Sequence, residues 1–372
     1  MLLQPDYYDS FECIADKCKD NCCIGWEIDI DDNTYEEYMK IDGLLGDRLK
    51  KSIETTDGVH SFKLDNNERC PFLNNNNLCD IICELGKDKL CHICKHHPRY
   101  INNYEDITEI GLGLACEEAC RIILNQQTPV YIINSDTKQK FTPQSLNTKT
   151  LTYLYKARDI IISTLQRRSY NIQLRLAVTV ALCEYIHNDW FSDKSDDELI
   201  VSLDKLENKA DSLFNSIVRN SNNCTTADKN ELINLIIDDY TKLEILDNSW
   251  IALISDTSGH IADADTCLLD FEFENSDLIF ENILVYFMHR YFINNCLCDC
   301  IIQNAYFMIS EYVLIKSLYA YCQKTGINYT IEDIVHSYSK EIEYSDINMD
   351  DLLEVFPYNV AYNKENISDL IL

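Results

Sequence analysis

Eleven of the 18 cysteines lie in the first 122 of 372 residues, and that crowding constrains the chain more than any other feature. The start, Met1-Leu-Leu-Gln-Pro-Asp-Tyr-Tyr8, lacks the basic stretch and apolar run of a secretory leader. No window reaches the ~18 consecutive apolar residues that a membrane span needs. A soluble, cytoplasmic protein is therefore expected. In a reducing compartment, thiols at short spacings bind metal more often than they form disulfides, while isolated thiols pack as small apolar residues.

The fold class expected is mainly α. Nine Gly and six Pro argue against a loop-rich chain, and 46% hydrophobic content supplies a sizeable core. Three stretches are expected: a Cys-rich metal-binding module over 1–122 with minor β content, a connector over 123–148, and a helical domain over 149–372 on which the module packs. In the module, Val59-His-Ser-Phe-Lys-Leu64 alternates like an edge strand and Ile107–Ala115 is a second candidate. Thr34–Ile53 reads as one helix, with Thr34 as N-cap and Glu37 three residues on. Beyond 149, apolar residues recur at three- and four-residue spacings, as in Leu151-Leu154-Ile161-Leu165 and Leu174-Val178-Leu182-Ile186. Similar stripes run through 195–220, 228–246, 279–294, 301–323 and 331–342.

The formal net charge is −30, from 62 acidic and 32 basic side chains. Nucleic-acid binding depends on Lys and Arg neutralising phosphates, so that class of partner is excluded. An acidic surface attracts a basic or lysine-bearing partner and also keeps a protein soluble.

Three cysteine clusters carry chemistry. The first is Cys13-x4-Cys18-x3-Cys22-Cys23 followed by Gly25-Trp26. The second comprises Cys70-Pro-Phe-Leu73, Cys79-Asp-Ile81 and Cys94-x3-Pro98-Arg99. The third is Cys116-Glu-Glu-Ala119, with Cys120 four residues on. Thiolates are soft, anionic ligands for zinc and iron–sulfur clusters, and several must converge from separate segments. If Cys22 and Cys23 lie on extended chain they point to opposite sides, so each serves a different neighbourhood.

In order and spacing these clusters, with Ile28-Asp-Ile30, Thr34-Tyr35-x2-Tyr38 and Leu85-Gly86, resemble the flagellin lysine N-methylase family over residues 1–122. In the helical remainder only Glu281-Asn-Ile-Leu-Val-Tyr286 is similar. A larger group of cysteine-rich zinc- or iron-chelating proteins shares the Cys-Cys and Cys-Pro-Phe-Leu elements. The resemblance implies methyl transfer from S-adenosylmethionine to lysine side chains of flagellin, with an iron–sulfur (4Fe–4S) cluster. Zinc is the alternative metal, and a non-catalytic iron- or zinc-chelating protein is the alternative function. The motif-matched metal positions are Cys13, Cys18, Cys22, Cys23, Cys70, Cys79, Cys94 and Cys116. His97 stands where the family has an aromatic residue, Ala15 replaces a glycine, and Cys83, Cys91 and Cys120 fall outside the pattern.

Other signals are read as structural. His92, His96 and His97 flank Cys91 and Cys94 but are taken as non-ligands. Glu109-Ile-Gly-Leu-Gly-Leu114 lacks the strand–turn–helix context of a nucleotide site. Cys296-x-Cys298-x-Cys300 sits in a helical pattern where Cys296 and Cys300 share a face and Cys298 points away. Cys183, Cys224, Cys267 and Cys322 read as core. No catalytic residue and no S-adenosylmethionine site is identifiable from the pattern.

Overall fold

The computed structural model describes residues 1–134, 148–217 and 224–372. Most of the expected connector, 135–147, lies outside the described residues. The first third carries five short helices: α1 (Asp32–Met39), α2 (Gly43–Ser52), α3 (Asp80–Leu85), α4 (His92–His96) and α5 (Glu117–Leu124). Among them run seven short strands: β1 (Leu2–Pro5), β2 (Asp29–Ile30), β3 (Ile53–Thr56), β4 (Val59–Phe62), β5 (Arg99–Tyr104), β6 (Ile107–Leu112) and β7 (Ile132–Asn134). Ten helices follow. They are α6 (Thr148–Leu165), α7 (Ile172–Trp190), α8 (Asp196–Ile217), α9 (Thr226–Tyr240) and α10 (Asn248–Ala262), then α11 (Ser276–Leu297), α12 (Ile301–Thr325), α13 (Ile331–Tyr338), α14 (Asp346–Val355) and α15 (Lys364–Ile371). The protein is thus mainly α with minor strand content. No helix among the described residues is long and apolar enough to cross a membrane.

The stretch Thr34–Ile53 is two helices rather than one. The N-cap of α1 is Asp31, whose carboxylate accepts the Thr34 N–H at 3.0 Å, so Thr34 lies inside the first turn. The chain then breaks before Gly43, at φ +82°. It turns so tightly that a Cβ on Gly46 would stand 2.1 Å from the Ile41 carbonyl oxygen.

Strands β2, β4 and β3 form one antiparallel sheet in that order. Val59–Phe62 is therefore its middle strand and not an edge, because Asp29 pairs with Ser61 on one side and Glu54 with Ser61 on the other. The partner strand β2 lies about thirty residues upstream, beyond the reach of local alternation. The second sheet runs β5-β6-β1-β7, with β1 parallel to β6 and antiparallel to β7. Glu109 to Leu112 lies in β6, where Arg158 holds the buried Glu109 carboxylate with bonds of 2.9 and 2.5 Å. This residue is a structural counter-ion.

Two apolar cores result. The larger joins the helical part with Tyr104, Leu112, Leu114 and the α5 face. The smaller contains Ile28, Ile30, Tyr38, Leu49, Phe62, Phe72 and Ile81, together with Cys70 and Cys91. The segment Glu281–Tyr286 on α11 knits the first third to the helices. Glu281 receives Arg168 and Arg175. Asn282 donates to the Leu124 and Gln126 carbonyls at 3.0 Å, closing the end of α5. Tyr286 donates to Glu343 at 2.5 Å, and Arg290 and Tyr291 converge on the same carboxylate oxygen.

The Cys296–Cys300 run begins in the last turn of α11 and leaves the helix after Leu297. Cys298 closes α11, Asp299 sits at φ +61°, and Cys300 precedes α12. Cys296 is buried beside Asn304, whereas Cys298 is exposed. Cys183, Cys267 and Cys322 are core residues; Cys224 is only half-buried.

Candidate functional site

A cavity of about 720 Å³ opens within the first third and is closed on one side by Tyr344, which follows α13. All eight motif cysteines line it: Cys13, Cys18, Cys22, Cys23, Cys70, Cys79, Cys94 and Cys116. Local chemistry explains the convergence. Asn74 folds the Asn-rich loop by accepting the Asn76 and Leu78 N–H groups on its side chain. That hairpin pairs Leu73 with Cys79 and bonds the Asp80 N–H to the Phe72 carbonyl at 2.8 Å, which sets Cys79 beside Cys70. The Cys70 N–H in turn donates to the Cys23 carbonyl at 2.8 Å.

On the opposite wall, the Glu117 carboxylate accepts the Lys19 and Asp20 N–H groups at 2.7 and 3.3 Å. This clamp holds the loop bearing Cys18 and Cys22 against Cys116, the residue that precedes α5. Asp20 is gripped from the helical side by His336 Nε2 at 2.9 Å and Lys340 Nζ at 2.7 Å. Burial acts to raise its pKa, but those two donors outweigh it and hold the carboxyl at about 2. Ala15, where the family has glycine, adopts φ +51°, a conformation costing a residue with a Cβ roughly 1 kcal/mol. The turn needs that conformation to bring Cys13 and Cys18 round.

Burial dominates the thiol electrostatics. It pushes Cys18 up to about 12 and Cys116 to about 11, and the neighbouring thiols Cys13 and Cys22 add to both shifts. Cys70 rises to about 11 for the same reason, against N–H donation from Phe72 and Leu73. Cys79 is also raised by burial, opposed by the Ile82 and Ile81 N–H groups. Two neighbouring pairs shift the other way. Cys22 is lowered because Cys23 bonds to it, and Cys91 is lowered because Cys94 does. Burial thus leaves Cys18, Cys70, Cys79 and Cys116 reluctant to ionise; a cation removes that obstacle. Among the described residues no three Cys, His, Asp or Glu side chains close round a common point. The thiols face shared space instead.

Cys91, outside the motif pattern, is fully buried immediately before α4 and belongs to the smaller core rather than to the cavity lining. Cys83 is exposed on α3, and Cys120 is buried against the Glu332 carbonyl, away from the cavity. Of the histidines, His92 is exposed. His97 is instead packed against Trp26 and Tyr344, with centroids 6.2 Å from each. Burial takes it down to about 4, and its Nε2 has no hydrogen-bond partner.

Trp26 and Tyr344 meet edge to face at 5.0 Å and give the cavity an aromatic wall. Exposed acids, Glu12, Glu27 and Asp88, stand among its lining residues, as do Lys87, Lys95 and Arg99. Arg99 is spent on Phe11 and Tyr8, with its guanidinium 5.1 and 5.6 Å from their ring centres.

Comparison with known proteins bears on both halves of this arrangement. The chain is 28% identical over 137 residues to the lysine-N-methylase of Salmonella typhimurium, covering 33% of this chain and 32% of that one. The lysine-N-methylase of Salmonella choleraesuis matches to the same extent. The flagellar biosynthetic protein FliU of Salmonella muenchen is 29% identical over 135 residues, which is 33% of this chain and 77% of FliU. The match therefore spans about a third of the length of the two lysine-N-methylases. No solved structure matches significantly. The FliB lysine N-methylase C-terminal domain matches residues 158–368, more than half of the chain and the part that contributes Tyr344 to the cavity wall. On that ground the chain belongs to the FliB lysine N-methylase family.

Proposed function

We propose that the chain is a protein-lysine N-methyltransferase acting on flagellin, using S-adenosylmethionine and an iron–sulfur centre. The observation that carries this reading is the convergence of the eight motif cysteines on one cavity that a helical domain of the lysine N-methylase family helps to enclose. The centre would be held by thiols drawn from Cys13, Cys18, Cys22, Cys23, Cys70, Cys79, Cys94 and Cys116. Soft sulfur donors facing a shared volume, rather than gripping a point, suit a multinuclear cluster. Bound there, such a cluster supplies a Lewis-acidic or electron-donating partner for the methyl donor. A reduced cytoplasm, where thiols stay free, fits these ligands.

The rest falls to the chain's own side chains. A sulfonium is a cation, and the faces of Trp26 and Tyr344 would receive it, a contact worth about 0.5–2 kcal/mol. Glu12 and Glu27 at the cavity would draw in the lysine ammonium of the substrate. Methyl transfer needs the neutral amine, and the apolar wall favours it by penalising charge. Packing Trp26 against Tyr344 also excludes water from the reacting amine.

The test is co-expression with the flagellin of the same source, followed by mass spectrometry of flagellin. The expected result is methyl increments on surface lysines, abolished in Cys22→Ala. Unmodified flagellin in the presence of fully metal-loaded protein would overturn the reading and leave a metal-chelating protein.

A further inference from the structure

The thiols between α11 and α12 stand apart from the cavity. Cys298 and Cys300 are free, and neither lines it. Cys298 is exposed and Cys300 half-buried. Hydrogen bonds pin the turn that carries them. The Asp299 N–H donates to the Cys296 carbonyl at 3.0 Å, and the Cys300 N–H to that of Asn295 at 2.8 Å. Asn304 Nδ2 donates to the Cys300 carbonyl at 3.2 Å. Asp299 itself stands at φ +61°, and its carboxylate accepts Trp190 Nε1 at 3.1 Å. That left-handed centre coils the chain as tightly as a helix does. Helical geometry then places the Cα atoms of Cys298 and Cys300 about 5.4 Å apart, inside the roughly 4.4–6.8 Å that disulfides span. An extended centre would part them to about 7 Å, beyond that range. The Cys300 Sγ folds back to 3.5 Å from the Cys298 carbonyl oxygen, so the second thiol lies over the first residue. The third thiol of the run, Cys296, is fully buried and held by Asn304.

We infer that Cys298 and Cys300 are a redox-active dithiol, which exchanges with small-molecule disulfides and closes to a disulfide between the two. The exposed Cys298 attacks first, because a reagent in solution reaches its sulfur. Its thiolate forms a bond to one sulfur of the small disulfide, the reagent's own S–S bond breaks, and one small thiolate leaves. Cys300 then gives its proton to solvent and attacks the Cys298 sulfur. The mixed disulfide breaks and the second small thiolate leaves. Two electrons pass from the protein thiols to the reagent, and the two thiol protons end on solvent or on the released thiolates. Burial, with Cys298 and Asp299 nearby, pushes the Cys300 thiol up, which suits the second, intramolecular attack rather than the first. Because the backbone is already turned, closure needs side-chain rotation only. Cys296 takes no part, since its sulfur is out of reach of a dissolved reagent.

The dithiol does not rest on the methyltransferase reading, and its test does not involve methylation. Full-length protein, purified anaerobically, is treated with oxidised glutathione, quenched in acid, denatured, alkylated and digested with trypsin. Cleavage after Arg290 and Lys316 releases residues 291–316, with Cys296, Cys298 and Cys300 in one peptide. After treatment that peptide should take up one alkyl group, on Cys296, in place of three, and should weigh two hydrogens less before alkyl mass is counted. Cys300→Ser should trap a lasting glutathione adduct on Cys298, because nothing displaces it. Cys298→Ser should show neither adduct nor disulfide. Three alkyl groups on the treated, unaltered protein would overturn the inference, as would a glutathione adduct that persists without closing, or a disulfide that includes Cys296.

Discussion

Glu311, in the middle of α12, has no exposed surface. One carboxyl oxygen accepts the Tyr338 hydroxyl at 2.9 Å, and the other has no partner. Burial raises its pKa well above the usual carboxylate range, and nearby Glu343 adds to that. Since the folded value is raised, the stability this group contributes is present below the ordinary pKa and is lost as pH rises toward the folded one. Glu311→Gln keeps an acceptor for Tyr338 but cannot ionise. Urea unfolding at pH 5 to 8 should show the variant gaining on the unaltered protein with rising pH, by at most about 1.4 kcal/mol per unit. Parallel pH profiles would mean that Glu311 does not titrate. Nothing in the local sequence distinguishes Glu311 from an exposed helical glutamate; its burial follows from what α13 brings against it. The motif cysteines, by contrast, were legible one by one, because thiols at short spacings carry their own chemistry.

At the scale of elements, the α1–α2 corner is the sharpest test of packing. A methyl at Gly46 would meet the Ile41 carbonyl at 2.1 Å, so Gly46→Ala should cost about 2 kcal/mol or more. A thermal melt lowered by only a degree or so would contradict that close approach. The α5 start offers a second test. Glu117→Ala removes the acceptor for the Lys19 and Asp20 N–H groups. On an exposed clamp this costs about 1 kcal/mol of stability, but it frees the loop carrying Cys18 and Cys22. Iron should therefore bleach faster under chelator challenge than in the unaltered protein, with helix content unchanged. Periodicity located α8 and α9, since an amphipathic stripe is a local signal, and long apolar stretches located α11 and α12, which are buried nearly all round. It ran α1 into α2 and put Cys296–Cys300 inside a helix. Those breaks depend on single left-handed residues, Gly43 and Asp299, which do not disturb the apolar count.

For the whole molecule, the two cores predict unequal dependence on metal. The smaller core is drawn mainly from residues 28–94 and is interleaved with cysteines. The larger holds the helices together and includes α5. Metal removal should accordingly raise amide hydrogen exchange most in residues 13–96, while α5 and α6 to α13 change little. Uniform exchange before and after chelation would contradict this. The −30 charge gives another expectation. If acidic groups steer a lysine-bearing substrate, flagellin methylation should slow as salt shortens screening to about 8 Å near physiological strength.

The sequence by itself determined the helical character and the order in which the cysteine-bearing segments arrive, because each rests on residue type and short spacing. Tertiary structure decided the rest. It assigned Cys70, Cys79, Cys91 and Cys94 to one core and Cys116 to the other. It made Val59–Phe62 a central strand. It also set Tyr344 from the far end of the chain against Trp26. These outcomes depend on contacts between segments tens to hundreds of residues apart, and no local pattern encodes which distant backbone will supply the opposite wall.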